Sequence, residues 1–424
     1  MSTNIQHAGT LPVEKKAPSF GRLLFSLLFA NVAMYVVYIS VLQIFLPQQV
    51  ELLDPANKVT NFGIVSGISA IVATVANPLA GALSDKTRSR FGRRTPWILG
   101  GGLGALLALM LLGNMQTLFW ITVAWCLVQA TMNCFQSAIT AIIPERVAAE
   151  KRGTASAVVG IGVPIGSIAG VALASMFAQS LLTGYTVIGL IIAVVSFLFV
   201  ALNHEPPLPA EEAQPAQKPS FSPGRMLADF FSSLSHRDFA WAFASRALIM
   251  LGYFLVSGYQ LYLLKDYIRL DAGQDPAALV VTLTTISTVA MVVATLLGGL
   301  LSDKLGRRKI FVGVAALLMA GALLIPFFSP TFAAMMLFSA INGFAFGCYN
   351  AVDTALITLV LPDQENNARD LGILNLANAG PQIIAPFIAA VVISSLGGYS
   401  ALFVSGAALA LGSAAAIIPV RSVR

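Results

Sequence analysis

The sequence predicts an all-α membrane protein in which twelve transmembrane helices form two related six-helix bundles. Two observations predict this fold: windows of about 20 residues that are apolar on every face, and a loop that occurs once in each half of the chain. Of the 424 residues, 57% are apolar and 10% are charged. A soluble chain carries about 25% charged residues, so the composition favours a bilayer.

Apolar windows of bilayer length divide the chain into spans, tails and a linker. The predicted spans lie near residues 22–46, 60–84, 96–115, 117–141, 154–178, 184–203, 240–264, 277–301, 309–328, 331–360, 371–395 and 399–419. The predicted domains are an N-terminal tail (1–21), an N-terminal bundle (22–203), a linker (204–238), a C-terminal bundle (239–419) and a C-terminal tail (420–424). The linker begins with a Pro/Glu-rich run, which predicts flexibility, and continues into an amphipathic stretch that predicts a helix on the membrane surface.

The basic residues orient the chain with both termini in the cytoplasm. Of its 25 Lys and Arg residues, only Lys58, Lys265 and Arg269 fall in segments on the opposite side, and Arg246 falls within a span. This is the positive-inside distribution of membrane proteins. The net charge of +6 is therefore explained by topology, and we expect no nucleic-acid partner because basic residues do not alternate with aromatic ones.

The repeated loop combines glycine, an acid and several bases. Residues 81–94 read GALSDKTRSRFGRR, and residues 299–308 read GLLSDKLGRR. Each copy follows an apolar run, and the distance between them is close to half the chain. The first copy contains four extra residues between Asp85 and Gly92. The repeat therefore indicates a duplicated architecture.

These loops resemble the signature of the major facilitator transporters between helices two and three, Gly-x-x-x-Asp-[Arg/Lys]-x-Gly-[Arg/Lys]-[Arg/Lys]. The resemblance implies that the loop acid contacts the facing half and helps to latch the inward-closed state, and that the glycines permit close helix approach. A basic loop that serves topology alone is the alternative, although a second matched pair of loops follows spans four and ten. The implied latch residues are Gly81, Asp85, Arg93, Arg94, Gly299, Asp303, Arg307 and Arg308.

The longer first loop resembles a narrower group. Residues 85–101, DKTRSRFGRRTPWILGG, are similar to the loop of the glycoside–pentoside–hexuronide symporters and the related sucrose–proton symporters, in which Pro-Trp opens helix three. In the melibiose-permease branch, an Asp-Pro in helix two supplies a cation-site carboxylate. This chain has Asn77-Pro78 there, so sodium coupling of that type is not expected.

In the fold that this resemblance implies, spans one, four, seven and ten surround the central path. Each carries polar or aromatic residues at helical spacing, and span eleven adds amides. Amides and phenols suit a neutral, hydroxyl-rich solute, but single amides also stabilise helix packing by about 0.6–2 kcal/mol. The predicted substrate-binding residues are Asn31, Tyr35, Tyr38, Gln129, Asn133, Gln136, Tyr253, Ser257, Gln260, Asn342, Tyr349, Asn375 and Asn378.

Two charges are predicted deep within the bilayer. Arg246 and Asp353 each lie eight or nine residues from the cytoplasmic end of their spans, which places them about 12–14 Å deep. An unpaired charge there costs several kcal/mol, so we expect them to pair. The pair either holds the second half together or couples protonation of Asp353 to alternating access.

These patterns predict a secondary active transporter, with proton-coupled symport of a sugar or other small neutral polar solute. A proton-coupled efflux antiporter for drugs or metabolites is the alternative, favoured by the apolar Gly/Pro run at 160–170 of span five, which also predicts a helix that bends. A receptor that transports nothing is a third hypothesis. The sequence contains no catalytic constellation, cofactor motif or metal cluster, so we expect no enzyme. The expected partners are lipid, solute and protons, for a monomer in a bacterial inner membrane.

Overall fold

The computed structural model describes residues 19–204, 235–360 and 367–420, without the side chains of Asp303, of 354–355 and 357–360, or of 367–375. The predicted tails therefore lie largely outside the described residues. The same holds for most of the linker, with its predicted surface helix, and for part of the loop after span ten. The fold is all-helical, and helices occupy 87% of the described residues.

Twelve helices of the described residues are long and apolar enough to cross a bilayer, which confirms the predicted fold class. They are α1 (Phe20–Leu53), α2 (Lys58–Lys86), α3 (Thr95–Asn114), α4 (Leu118–Arg146), α5 (Arg152–Met176), α6 (Leu181–Leu202), α7 (Arg237–Ser257), α8 (Pro276–Leu305), α9 (Arg308–Phe328), α10 (Phe332–Val360), α11 (Asn367–Ser395) and α12 (Gly398–Ile417).

Span seven is shorter than its predicted range of 240–264. Helix α7 ends at Ser257, and a separate short helix, Gln260–Asp266, follows it. Gly258 lies at the break, and glycine is among the weakest helix formers. Gln260 therefore begins a separate helix, and the regular helical spacing from Tyr253 that the sequence analysis assumed does not extend to it.

Helix α1 contains one wide turn. Residues Val41–Phe45 form a π-helical turn immediately before Pro47. Proline cannot donate to the carbonyl oxygen four residues earlier and crowds that turn, and a π turn adjusts the register by one residue. The side chains beyond Val41 are therefore rotated relative to the regular helix that the sequence predicts.

The helices form two six-helix bundles with equivalent internal neighbours. Helix α1 packs against α5 and α6, as α7 packs against α11 and α12. Likewise α2 packs against α4, as α8 packs against α10, and α3 packs against α6, as α9 packs against α12. The same set of contacts in both halves is the three-dimensional form of the repeat in the sequence.

The glycine run of α5 packs closely against α1. A Cβ atom at Gly166 would lie 2.6 Å from the carbonyl oxygen of Val32, and one at Gly162 would lie 2.8 Å from the Asn31 Cβ atom. Small residues at four-residue spacing let membrane helices approach in this way. Helix α5 is continuous through Pro164 from Arg152 to Met176, and its glycines form a packing surface against α1.

The two bundles meet closely at their extracellular ends. Helix α2 contacts α11, and α5 contacts α8. On α2, a Cβ atom at Gly67 would lie 2.0 Å from the Phe387 ring, and one at Gly63 would lie 2.7 Å from the Ala390 Cβ atom. Near the cytoplasmic end, the Cβ position of Gly81 has open space around it. The described residues therefore close the protein at its outer end.

Candidate functional site

The buried charges lie in a cluster that joins three helices of the C-terminal bundle. Arg246 Nη1 on α7 lies 3.1 Å from Asp353 Oδ2 on α10. Arg246 Nε donates to Asn378 Oδ1 on α11 at 2.8 Å, and the Tyr349 hydroxyl donates to Asp353 Oδ1 at 2.7 Å. The predicted pairing of Arg246 and Asp353 is therefore present, and Tyr349 and Asn378 complete it.

The geometry of this cluster explains how a charge pair persists at that depth. The side chains of Arg246 and Asp353 are 13% and 8% exposed. Both carboxylate oxygens of Asp353 accept a bond, one from a guanidinium and one from a phenol. Because both oxygens have partners, these bonds offset the free energy that the carboxylate loses when it is removed from water. Removing either charge would leave the other unpaired in a low dielectric, so the two residues act as one unit.

An aromatic pair and a buried amide lie beyond this cluster towards the outside. The Tyr253 and Phe346 rings stack with centroids 3.8 Å apart and planes 10° apart. One turn further along α10, the buried Asn342 has a side-chain oxygen without a hydrogen-bond partner among the described residues. A buried acceptor without a donor costs about 1–3 kcal/mol, so a ligand that donates to it would be favoured.

The amides of the N-terminal bundle are already engaged with one another. The Tyr38 hydroxyl donates to Gln136 Oε1 at 3.1 Å. Asn77 Nδ2 donates to Asn133 Oδ1 at 3.0 Å, and Asn133 Nδ2 donates to the Gln129 carbonyl oxygen at 2.8 Å. These bonds join α1, α2 and α4. A solute that reached this side would have to replace an existing bond or use the remaining lone pairs.

The other predicted binding residues are placed differently. Asn31 and Tyr35 lie on the α1 surface that packs against the α5 glycines, and Asn31 Nδ2 donates to the Leu27 carbonyl oxygen. Ser257 is the last residue of α7, and Gln260 begins the short extracellular helix. The side chain of Asn375 lies outside the described part of the chain. These residues are not brought into the Arg246 cluster.

The sequence analysis missed Gln43. Its side-chain oxygen is buried without a partner among the described residues, and it lies in the π turn of α1. Helical spacing from Tyr38 leads to residue 42, but the π turn shifts the register by one. The signal in the sequence was a polar residue within span one, four residues before Pro47.

The first latch loop is organised around a buried arginine of its own bundle. Arg94, 4% exposed, lies 2.5 Å from Asp85, donates to the Ser84 hydroxyl and pairs with Glu145 on α4, which also pairs with Arg93. Burial lowers the pKa of Arg94, but bonds to Glu145 and Asp85 raise it by more. Asp85 thus pairs within its own bundle, whereas the family resemblance implied a contact with the facing half.

Arg94→Ala should lower stability far more than Arg93→Ala. The first change removes a buried guanidinium with three partners, and a hydrogen bond to a charged group contributes about 1.5–3 kcal/mol. The Arg93 side chain is 28% exposed, and exposed pairs contribute about 0.2–1 kcal/mol. Thermal unfolding of the two purified variants measures the difference. Equal melting temperatures would contradict the central role of Arg94.

The second latch loop is described only in part. The Cβ position of Gly299, like that of Gly81, has open space around it, so the close approach expected of both glycines is absent from this conformation. Arg307 precedes α9, and Arg308 begins it. The Asp303 side chain lies outside the described residues.

Ion pairs join the extracellular ends of the two bundles. Their bases, Lys58 and Lys265, served the sequence analysis only as evidence for topology. Lys58 Nζ lies 2.7 Å from Glu51 of its own bundle and 2.8 Å from Asp266 of the other. Lys265 Nζ lies 2.5 Å from Glu51 across the same boundary. The Tyr262 hydroxyl donates to the Pro47 carbonyl oxygen at 2.7 Å, and burial raises the pKa of this phenol. We call Glu51, Lys58, Lys265 and Asp266 the outer charge cluster.

Residues 20–399 match a family described as MFS/sugar transport protein, and the chain belongs to that family. It is thus an integral, multi-pass membrane protein of a transporter family, with the family and fold of transporters and not of enzymes. This agrees with the major facilitator resemblance of the two loops.

Relatives of the chain include proteins named for two kinds of transport. It is 27% identical over 286 residues to a multi-drug resistance efflux pump, PmrA, of Streptococcus pneumoniae, a match that covers 65% of each chain. It is 41% identical over 96 residues to the human proton-associated sugar transporter A, covering 22% of this chain and 11% of that one. The chain therefore spans less than two thirds of the length of these relatives.

Solved structures share the fold at low identity. The nucleoside transporter NupG superimposes with a TM-score of 0.74 at 16% identity, covering 94% of this chain and 99% of that one. The peptide transporter POT in complex with sulfate gives a TM-score of 0.70 at 13% identity, covering 95% and 96%. These similarities establish the architecture alone.

Proposed function

We propose that the chain is a proton-coupled symporter of a sugar or other small neutral polar solute and works by alternating access. The observation that carries this proposal is the Arg246–Asp353 pair, saturated by Tyr349 and Asn378. A carboxylate that takes up a proton loses its attraction to the guanidinium. The three helices that the cluster joins are then free to rearrange, which links protonation to the bundle motion.

The solute class is inferred from the groups near the pair. Stacked aromatic rings offer a flat apolar surface, and the unpartnered oxygen of Asn342 accepts a hydrogen bond. A polyhydroxylated ring presents C–H surface and hydroxyl donors together, which suits both groups. The family description and the name of the human relative point to the same class.

Asn342→Ala should weaken solute binding more than Asn133→Ala. Both residues are buried amides. The Asn133 side chain has hydrogen-bond partners within its bundle, whereas the Asn342 oxygen has none among the described residues. Loss of one buried hydrogen bond to a ligand costs about 1–3 kcal/mol, or roughly 5- to 150-fold in affinity. Isothermal titration of the purified variants with the transported solute measures this difference. If Asn133→Ala weakened binding more, the solute site would lie mainly on the N-terminal bundle.

The direct test records the pH of a lightly buffered suspension of de-energised cells that express the protein. Adding a transported sugar should make the medium more alkaline, because each solute carries a proton inward. Cells that carry the empty vector provide the baseline. Uptake of labelled sugar without a pH change would exclude proton symport.

A proton-coupled efflux antiporter is the second candidate. It is favoured by the similarity to the PmrA efflux pump over 65% of the chain and by the stacked Tyr253–Phe346 pair, because aromatic faces also attract organic cations. In the same suspension, adding a lipophilic cation would then acidify the medium.

We propose the bacterial inner membrane as the location and the monomer as the functional unit.

A further inference from the structure

A groove opens on the outer surface of the N-terminal bundle, away from the cluster of Arg246 and Asp353. It has a volume of about 430 Å³ and is lined by Trp97, Gly100 and Gly101 of α3, by Thr131 and Cys134 of α4, and by Thr87 at the end of α2. Trp97 Nε1 donates to the Thr87 hydroxyl at 2.8 Å, and the Thr131 hydroxyl donates to the Leu127 carbonyl oxygen at 2.9 Å. Because these polar groups bond one another, the groove presents mainly carbon surface.

The groove faces the lipid of the cytoplasmic leaflet. Leu79 and Leu83 on α2 are 56% and 54% exposed, and Leu103 and Leu107 on α3 are 51% and 67% exposed. These exposed leucines give the two helices that flank the first loop an apolar outer surface. Gly100 lies within it, and its Cβ position has nothing within 4 Å. The groove runs from the loop to Gly101, six residues into α3, which is a depth of about 9 Å.

The cytoplasmic mouth of the groove is basic. The first loop is four residues longer than the second, and this extra length contains Arg88 and Arg90 close to Thr87. Arg88, Arg90 and Lys86 are all exposed. The neighbouring acids are already engaged, because Asp85 pairs with Arg94 and Glu145 pairs with Arg93 and Arg94. The guanidinium of Arg90 lies 4.7 Å from the centroid of the exposed Phe91 ring. The loop therefore directs uncompensated positive charge towards the membrane surface.

We propose that this groove binds an anionic phospholipid, with an acyl chain against α3 and α4 and the headgroup phosphate on Arg88 and Arg90. Apolar lining alone would accept any lipid, and basic residues alone would accept any anion. An apolar lining beside basic residues at this depth selects a molecule that has both an acyl chain and an anionic headgroup. Arginine suits a phosphate because its planar guanidinium can donate two parallel hydrogen bonds. The α8–α9 loop lacks the four extra residues, so the site belongs to the N-terminal bundle only.

Native mass spectrometry of the purified full-length protein in an equimolar mixture of phosphatidylglycerol and phosphatidylcholine tests this proposal. The wild-type protein should retain phosphatidylglycerol preferentially. Arg88→Gln/Arg90→Gln should reduce that retention by about 30-fold, since each basic residue near an anionic surface contributes roughly fivefold. Lys304→Gln, which removes an exposed base from the equivalent loop of the other bundle, should retain lipid as the wild type does.

Two further measurements identify the occupant. Gly100 lines the groove and its Cβ position is open, so Gly100→Leu should place a side chain in the groove and displace phosphatidylglycerol although every basic residue remains. Excess glycerol phosphate should leave the bound lipid in place. The proposal is overturned by equal retention in the double arginine variant, by equal retention of phosphatidylcholine, or by displacement with glycerol phosphate, the last of which would leave only an anion site. These readouts do not depend on transport, so they are independent of the proposed symport.

Discussion

Asp353→Asn should abolish accumulation of solute against its gradient while exchange of labelled for unlabelled solute across the membrane continues. A carboxamide keeps the size and the bond to Tyr349 but cannot take up or release a proton. A potential of 100 mV contributes about 2.3 kcal/mol per proton charge, which sustains roughly 50-fold accumulation. The variant should instead equilibrate the solute. Uptake and counterflow in proteoliposomes measure both activities.

Two variants serve as controls for this result. Asp271→Asn removes an exposed carboxylate that bonds to Gln274 of the same loop and should leave accumulation in place. Arg246→Gln/Asp353→Asn removes both members of the pair and should be more stable than Arg246→Gln alone, because no charge is left buried without a partner. If Asp353→Asn lost exchange and accumulation equally, the pair would be a static element of the C-terminal bundle.

The second expected result is that Glu51→Gln/Asp266→Asn opens the extracellular side of the protein. The two substitutions remove both ion pairs of the outer charge cluster that cross between the bundles. The four side chains are 13–31% exposed, and such pairs contribute about 0.2–1 kcal/mol each. Loss of both should shift the equilibrium towards the outward-open state by up to about 30-fold.

Electron–electron distances between spin labels at Gln179 and Ala272 measure that shift, because these exposed residues lie at the extracellular ends of opposite bundles. The double variant should show a larger long-distance population. Asp54→Asn is the matched control, since Asp54 bonds to Asn57 and Asn61, which belong to its own bundle. High salt should weaken the wild-type closure in the same direction. An unchanged distance distribution in the double variant would assign the closure to the packing of α2 against α11.

Most of the helices could be predicted because the signals for a membrane span are local. Apolar length and the distribution of basic residues predicted the twelve spans, and helical spacing brought Asn342, Phe346, Tyr349 and Asp353 to one face of α10. The depth of Arg246 and Asp353 in two helices predicted their pairing. Local exceptions caused the errors. Gly258 ends α7 early, and the π turn before Pro47 brings Gln43 into the position that regular spacing gives to residue 42.

The sequence by itself determined a duplicated twelve-helix membrane protein and predicted cytoplasmic termini and a charge pair in its second half, because hydropathy and helical periodicity act along the chain. Only the tertiary structure decided which side chains face one another. Arg94 is buried in the structure, whereas Arg93 is partly exposed. Asn133 has hydrogen-bond partners, whereas the Asn342 oxygen has none among the described residues, and the outer charge cluster joins the bundles. These outcomes depend on the distance between helices that are far apart in sequence, and no local pattern encodes that distance.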